Sequence, residues 1–177
     1  DAFGGGILNY GDLTITGSIF RRNLAETGGG VYDESGTVNV DDSLFSDNSA
    51  LGSGNGGGIS VTSGILHVSN STFSNNSAIS GGGISFSLTG LLEIRDSTFT
   101  NNAADMGGGV STHASMAVVV NSTFLGNTAI DGGAIYNAYS LSVFNSTFFN
   151  KGWDVIRPSG PALAAAYCPD AFIVWRA

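Results

Sequence analysis

The chain predicts an all-β fold, a right-handed parallel β-helix of about six coils with three short strands in each. Two observations carry this. A glycine-plus-aliphatic signature recurs at Gly4 to Ile7, Gly28 to Val31, Gly56 to Ile59, Gly81 to Ile84, Gly107 to Val110 and Gly132 to Ile135, with successive starts 24, 28, 25, 26 and 25 residues apart. A near-constant period of this length marks a solenoid, in which no unit can bury its apolar face alone and each must stack on its neighbours. The second observation is compositional: 27 glycines in 177 residues, clustered before aliphatic residues and without a Gly-X-Y period, indicate tight corners between strands.

The first strand of each unit is that glycine-aliphatic segment. The second is read by counting back from the aromatic residue that every unit carries: Phe20, Phe45, Phe73, Phe99, Phe124 and Phe148. Seven residues before it stand Leu13, Val38, Leu66, Leu92, Ala117 and Leu141, and five before it Ile15, Val40, Val68, Ile94, Val119 and Val143. Positions of one parity point to one face of a strand, so both columns belong to the core. Thr14, Asn39, His67, Glu93, Val118 and Ser142 lie between them and face outward.

The third strand is the Ser-x-Phe segment, with Ser18, Ser43, Ser71, Ser97, Ser122 and Ser146 two residues before the aromatic. Strands this short cannot stand alone, but each can pair in parallel with its equivalent one coil away. At about 4.8 Å per coil, six coils span roughly 29 Å. Alanines recur five residues after the Phe (Ala25, Ala50, Ala78, Ala104, Ala129), where the cross-section narrows. Asparagines recur three residues after it (Asn23, Asn48, Asn76, Asn102, Asn127), and such a column satisfies itself by amide hydrogen bonds between coils.

The pairing of Gly-Gly-Ala-Ile (132 to 135) and its Gly-Gly-Gly variants with Phe-x-x-Asn, from Phe20-Asn23 to Phe124-Asn127, resembles the repeats of chlamydial-type polymorphic outer membrane proteins over residues 4 to about 150. The resemblance implies a secreted or surface-displayed passenger that acts in adhesion, located outside the cell or at the outer membrane. Residues 1–150 are accordingly expected to form the repeats and 151–177 an irregular tail, either a cap or a truncated end. In the sixth unit Lys151 occupies the asparagine position, and Ala162 to Tyr167 is the one candidate helical turn. The opening Asp1-Ala2-Phe3, without Met, suggests a mature or excised fragment.

A net charge of −8 with six basic residues argues against nucleic acid or an anionic membrane as partner. No run of 18 apolar residues spans a membrane as a helix. Cys168 is the single cysteine, so no internal disulfide can form. The Asn-Ser-Thr triplets at Asn70, Asn121 and Asn145 are read as structural, because all three fall at one repeat position. No metal or cofactor site is expected, since His67 and His113 are the only histidines and no Cys/His spacing suits a metal.

Enzymes of this architecture place paired carboxylates on one outer face. Here the acids are scattered, with Asp41-Asp42 the only adjacent acidic pair among the expected strand positions, so the chain is read as leaning away from catalysis. The expected role is a non-enzymatic stalk or adhesin-like segment with a polysaccharide or host-surface partner. The alternative is a carbohydrate-active β-helix whose catalytic coils lie elsewhere. Register places His67 beside Glu93, and Arg95 in line with Ser69 and Asp41, so these five residues are the candidate ligand-binding surface. Val118, Val120 and Phe144 form an apolar outer stripe that the tail, through Trp153 or Trp175, is expected to cover.

Overall fold

The computed structural model describes residues 2–52, 54–151, 156–158 and 165–167. Within them the chain is a solenoid of six coils and the start of a seventh, with all strand pairing parallel and no helix among the described residues. The first sheet has seven strands, from Ile7–Asn9 to Ile156–Pro158; the second has seven, from Leu13–Thr16 to Ala165–Tyr167; the third has six, from Ile19–Arg21 to Thr147–Lys151. Each strand pairs with its equivalent one coil away, as in Gly64–Ser69 beside Thr37–Asp41 and Gly90–Arg95.

The corners follow from residue type. Three columns of left-handed backbone separate the sheets. One comprises Gly4, Gly28, Gly56, Gly81, Gly107 and Gly132; the second Gly17, Asp42, Asn70, Asp96, Asn121 and Asn145; the third Arg22, Asp47, Asn75, Asn101 and Gly126. Asn, Asp and Gly populate this region most readily. The asparagines of the three Asn-Ser-Thr triplets therefore occupy a backbone conformation that suits them.

Inside the sheets the core is a set of columns. Phe20, Phe45, Phe73, Phe99, Phe124 and Phe148 stack face to face with ring centroids 4.7, 4.8, 4.8, 4.7 and 4.9 Å apart. That spacing is the interstrand distance, so the backbone ladder sets the ring separation. The glycine after the left-handed corner glycine lets two coils approach, at Gly5, Gly29, Gly57, Gly82 and Gly108. A Cβ on Gly57 would lie 2.4 Å from the Gly82 carbonyl oxygen in the next coil.

Two hydrogen-bonded columns run beside the rings. Asn127 Oδ1 accepts both the backbone N–H and the Nδ2 of Asn102, at 3.0 and 2.9 Å, and the same rung recurs from Asn23 onward. The serine column works alike: Ser71 Oγ accepts from Ser43 N at 3.1 Å and donates to Ser69 O.

Two expectations are corrected. The asparagine column does not end at Asn127. Asn150 Oδ1 accepts from Asn127 N at 2.9 Å and from Asn127 Nδ2 at 2.7 Å. The sixth coil omits the left-handed corner residue that Gly126 supplies in the fifth, and the register shifts between Leu125 and Thr128 so that Thr128 pairs with Lys151. Asparagine thus follows Phe148 by two residues rather than three. Nor do the described residues of the expected helical turn form one: Ala165–Tyr167 is a strand aligned with Ser142, Val143 and Phe144. This part of the tail extends the second sheet in its own plane rather than lying across the outer stripe. Trp153 and Trp175 lie outside the described residues.

Candidate functional site

The second sheet carries two strands of six residues, Gly64–Ser69 and Gly90–Arg95, and alternation places one residue in two outside. Within Gly64–Ser69, Leu66 and Val68 are buried while His67 and Ser69 point out; within Gly90–Arg95, Leu92 and Ile94 are buried while Glu93 and Arg95 point out. Register pairs His67 with Glu93, Ser69 with Arg95, and Ser69 with Asp41. All five predicted residues therefore lie on one outer face.

Their side chains divide into two groups. His67 Nδ1 lies 2.9 Å from Glu93 Oε2, and Arg95 Nε donates to Glu93 Oε1 at 2.8 Å, with a second contact from Arg95 Nη2 to the same oxygen. Glu93 is the most enclosed of the three, its side chain 24% exposed against 37% for His67 and 49% for Arg95. Partial burial works to raise the Glu93 pKa, but the hydrogen bonds and charges of Arg95 and His67 together outweigh it and hold the carboxyl below its ordinary value.

In the other group, Asp41 Oδ1 accepts from Ser69 Oγ at 2.7 Å and from Asn70 Nδ2 at 2.9 Å. The Ser69 bond, then the Asn70 bond, hold Asp41 below the usual carboxylate range. Asn70 was not among the expected site residues, although its place at the corner directly after Ser69 would have indicated it. Through Asn70 the patch turns the corner onto the third sheet.

Beyond Glu93 and Arg95 the same outer columns become apolar, with Val118 and Val120 half-buried and Phe144 39% exposed. The polar patch is thus bounded on that side.

The most strongly enclosed acid is elsewhere. Asp33 is fully buried in the inward column of the first sheet, where Asn9 and Val61 are its neighbours. Asn9 Nδ2 donates to its Oδ1, while Oδ2 has no hydrogen-bond partner among the described residues. Burial pushes the Asp33 pKa up and the nearby Glu34 and Asp12 add to that, against the pull of Asn9. Its position two residues after Val31, on the core parity, is the sequence signal for this burial. Asp33 is remote in the fold from the patch, on a different sheet.

Among the described residues no group of three or more His, Cys, Asp or Glu side chains is arranged to hold a metal ion. No described helix is long and apolar enough to cross a membrane. A family model described as a right handed beta helix region matches residues 6–162. Neither the curated proteins nor the solved structures compared with the chain include a match.

Proposed function

The chain belongs to the right-handed β-helix family, and on that premise we propose that it is a non-enzymatic segment that presents its outer sheet faces to a partner at the cell surface or outside the cell, as an adhesin-like or stalk module. The observation that carries this reading is the state of the two outward-facing carboxylates of the patch. Glu93 and Asp41 are each engaged by neighbouring donors and held below their ordinary pKa. A general acid for glycoside cleavage needs the opposite, a carboxyl held protonated near neutral pH. Fixed charges on a rigid sheet suit recognition instead.

The Phe-x-x-Asn and Gly-Gly-Ala-Ile pattern supports the finer part of the proposal, a module of the polymorphic outer membrane protein type. The alternative, a carbohydrate-active β-helix with its catalytic coils in another segment, draws no support from these two carboxylates. The test is a binding screen against glycans and cell surfaces that compares the parent with the triple variant His67→Ala, Glu93→Ala, Arg95→Ala. Loss of a parent ligand in the variant supports presentation through this face. Hydrolysis or elimination products from any polysaccharide in the screen would overturn the non-enzymatic reading.

A further inference from the structure

Where the second and third sheets meet, a groove of about 410 Å³ crosses the first three coils, lined by Gly17, Ile19, Asp42, Leu44, Asn70 and Thr72 among others. It lies at the small end of the range of about 300–1,000 Å³ typical of ligand pockets. It exists because two columns depart from their repeat at one place. At the corner, five coils carry Asp42, Asn70, Asp96, Asn121 and Asn145, but the first carries Gly17, and a Cβ added there would meet nothing within 4 Å. On the third sheet, the residue before the core Phe is Thr72, Thr98, Thr123 and Thr147 in the later coils, but Ile19 and Leu44 in the first two.

The result is a gap one side chain deep beside an apolar floor. Ile19 is 71% exposed, the most exposed large hydrophobic residue among those described, and Leu44 pairs with it in register. Neither departure is needed for folding: the same backbone accommodates Asn at the corner and Thr on the strand in other coils. Around the floor stand hydrogen-bonding groups. Asp42 is exposed at the corner, Asn70 is held in place by the Asp41 carboxylate, and Thr72 contributes a hydroxyl.

We propose that this groove binds an uncharged sugar ring of a polysaccharide, resting on the reading above that the outer surface engages partners. A pyranose offers an aliphatic C–H face to Ile19 and Leu44 and a rim of hydroxyl donors to the Asp42 carboxylate and the Asn70 amide oxygen. Asp41 and Asp42 beside the groove, on a chain of net charge −8, repel uronates, sulfates and phosphates. Arg21, in the same strand as Ile19, is committed to Asp47 at 3.3 Å. The ligand class is therefore a neutral hexose chain.

The experiment is an NMR titration of the full chain with cellohexaose, mannohexaose, hexagalacturonate and tetralysine at up to millimolar concentration. A neutral hexaose should shift the amides of residues 17–19, 42–44 and 70–72, with hexagalacturonate at least about tenfold weaker. Gly17→Asn should fill the groove and weaken binding about tenfold or more at unchanged Tm, and Ile19→Thr should weaken it by removing the floor. Absence of shifts with both neutral sugars overturns the proposal. So does equal binding by Gly17→Asn, or preference for hexagalacturonate or tetralysine. Shifts confined to His67, Glu93 and Arg95 would also overturn it, while leaving the presenting face of the second sheet intact.

Discussion

Asn102 Oδ1 accepts two hydrogen bonds from one residue, the backbone N–H of Asn76 at 3.0 Å and its Nδ2 at 2.9 Å. The Asn76 amide also donates to Phe45 O at 2.9 Å, and its own Oδ1 accepts the same pair from Asn48. A carboxamide used on both sides is more demanding than any single buried hydrogen bond. Asn76→Ala should orphan groups in the coils on either side and cost more than the ~1–3 kcal/mol of one unsatisfied buried group. Urea unfolding of this variant measures it, and Asn76→Asp should fare no better because a carboxylate cannot donate.

The ring column gives a graded expectation. Phe99 is fully buried between two stacked rings, so Phe99→Ala should cost about 3–5 kcal/mol. Phe20 is half-buried with one ring neighbour, so Phe20→Ala should cost clearly less. Equal small losses in denaturant would mean that stacking contributes little.

Gly57→Ala tests the close approach of coils. The added Cβ would meet backbone rather than a movable side chain, so this one methyl should destabilise the chain more than Ala does at Gly17, where the space is open and only the left-handed backbone penalises a side chain. Paired thermal melts of the two variants read the difference directly.

Asp33 and Glu93 should shape the pH profile in opposite directions. The folded state raises the Asp33 pKa, so it binds the proton more tightly than the unfolded chain. Stability from this group falls as pH rises from the unfolded value near ~3.9 to the folded one. Asp33→Asn should therefore be more stable than the parent at neutral pH. The folded state lowers the Glu93 pKa, so its contribution is present above the unfolded value near ~4.3 and is lost as pH falls through the folded one. Glu93→Gln should remove at most ~1 kcal/mol, and less at high salt. Urea midpoints across acid to neutral pH separate the two.

The fold was legible because its period is written in residues with one steric role each: glycine at the corner, phenylalanine in the column, asparagine in the ladder. The outer patch was legible for the same reason, since register alone sets His67 beside Glu93 and Ser69 between Asp41 and Arg95. Counting residues failed where a corner changed length. Asn150 keeps its rung because hydrogen bonding, not spacing, selects it, and fixed offsets pointed to Lys151 instead. Ala165–Tyr167 reads as helical by local propensity, yet the free edge of the second sheet recruits it as a strand. The corner groove was out of reach for a different reason. It consists of a missing side chain at Gly17 beside residues from two other coils, and no single stretch of sequence displays an absence.

Rungs of the asparagine column join residues 23 to 28 positions apart, yet their Nδ2–Oδ1 distances stay within 2.7–2.9 Å. Chain length between rungs therefore varies while the geometry of the rung stays constant. An unequal crossover that deleted or duplicated one whole coil would leave every remaining strand with a partner of the same kind. A surface feature confined to two or three coils, such as the Gly17 groove or the Glu93 cluster, could then pass between related genes as an exchangeable cassette.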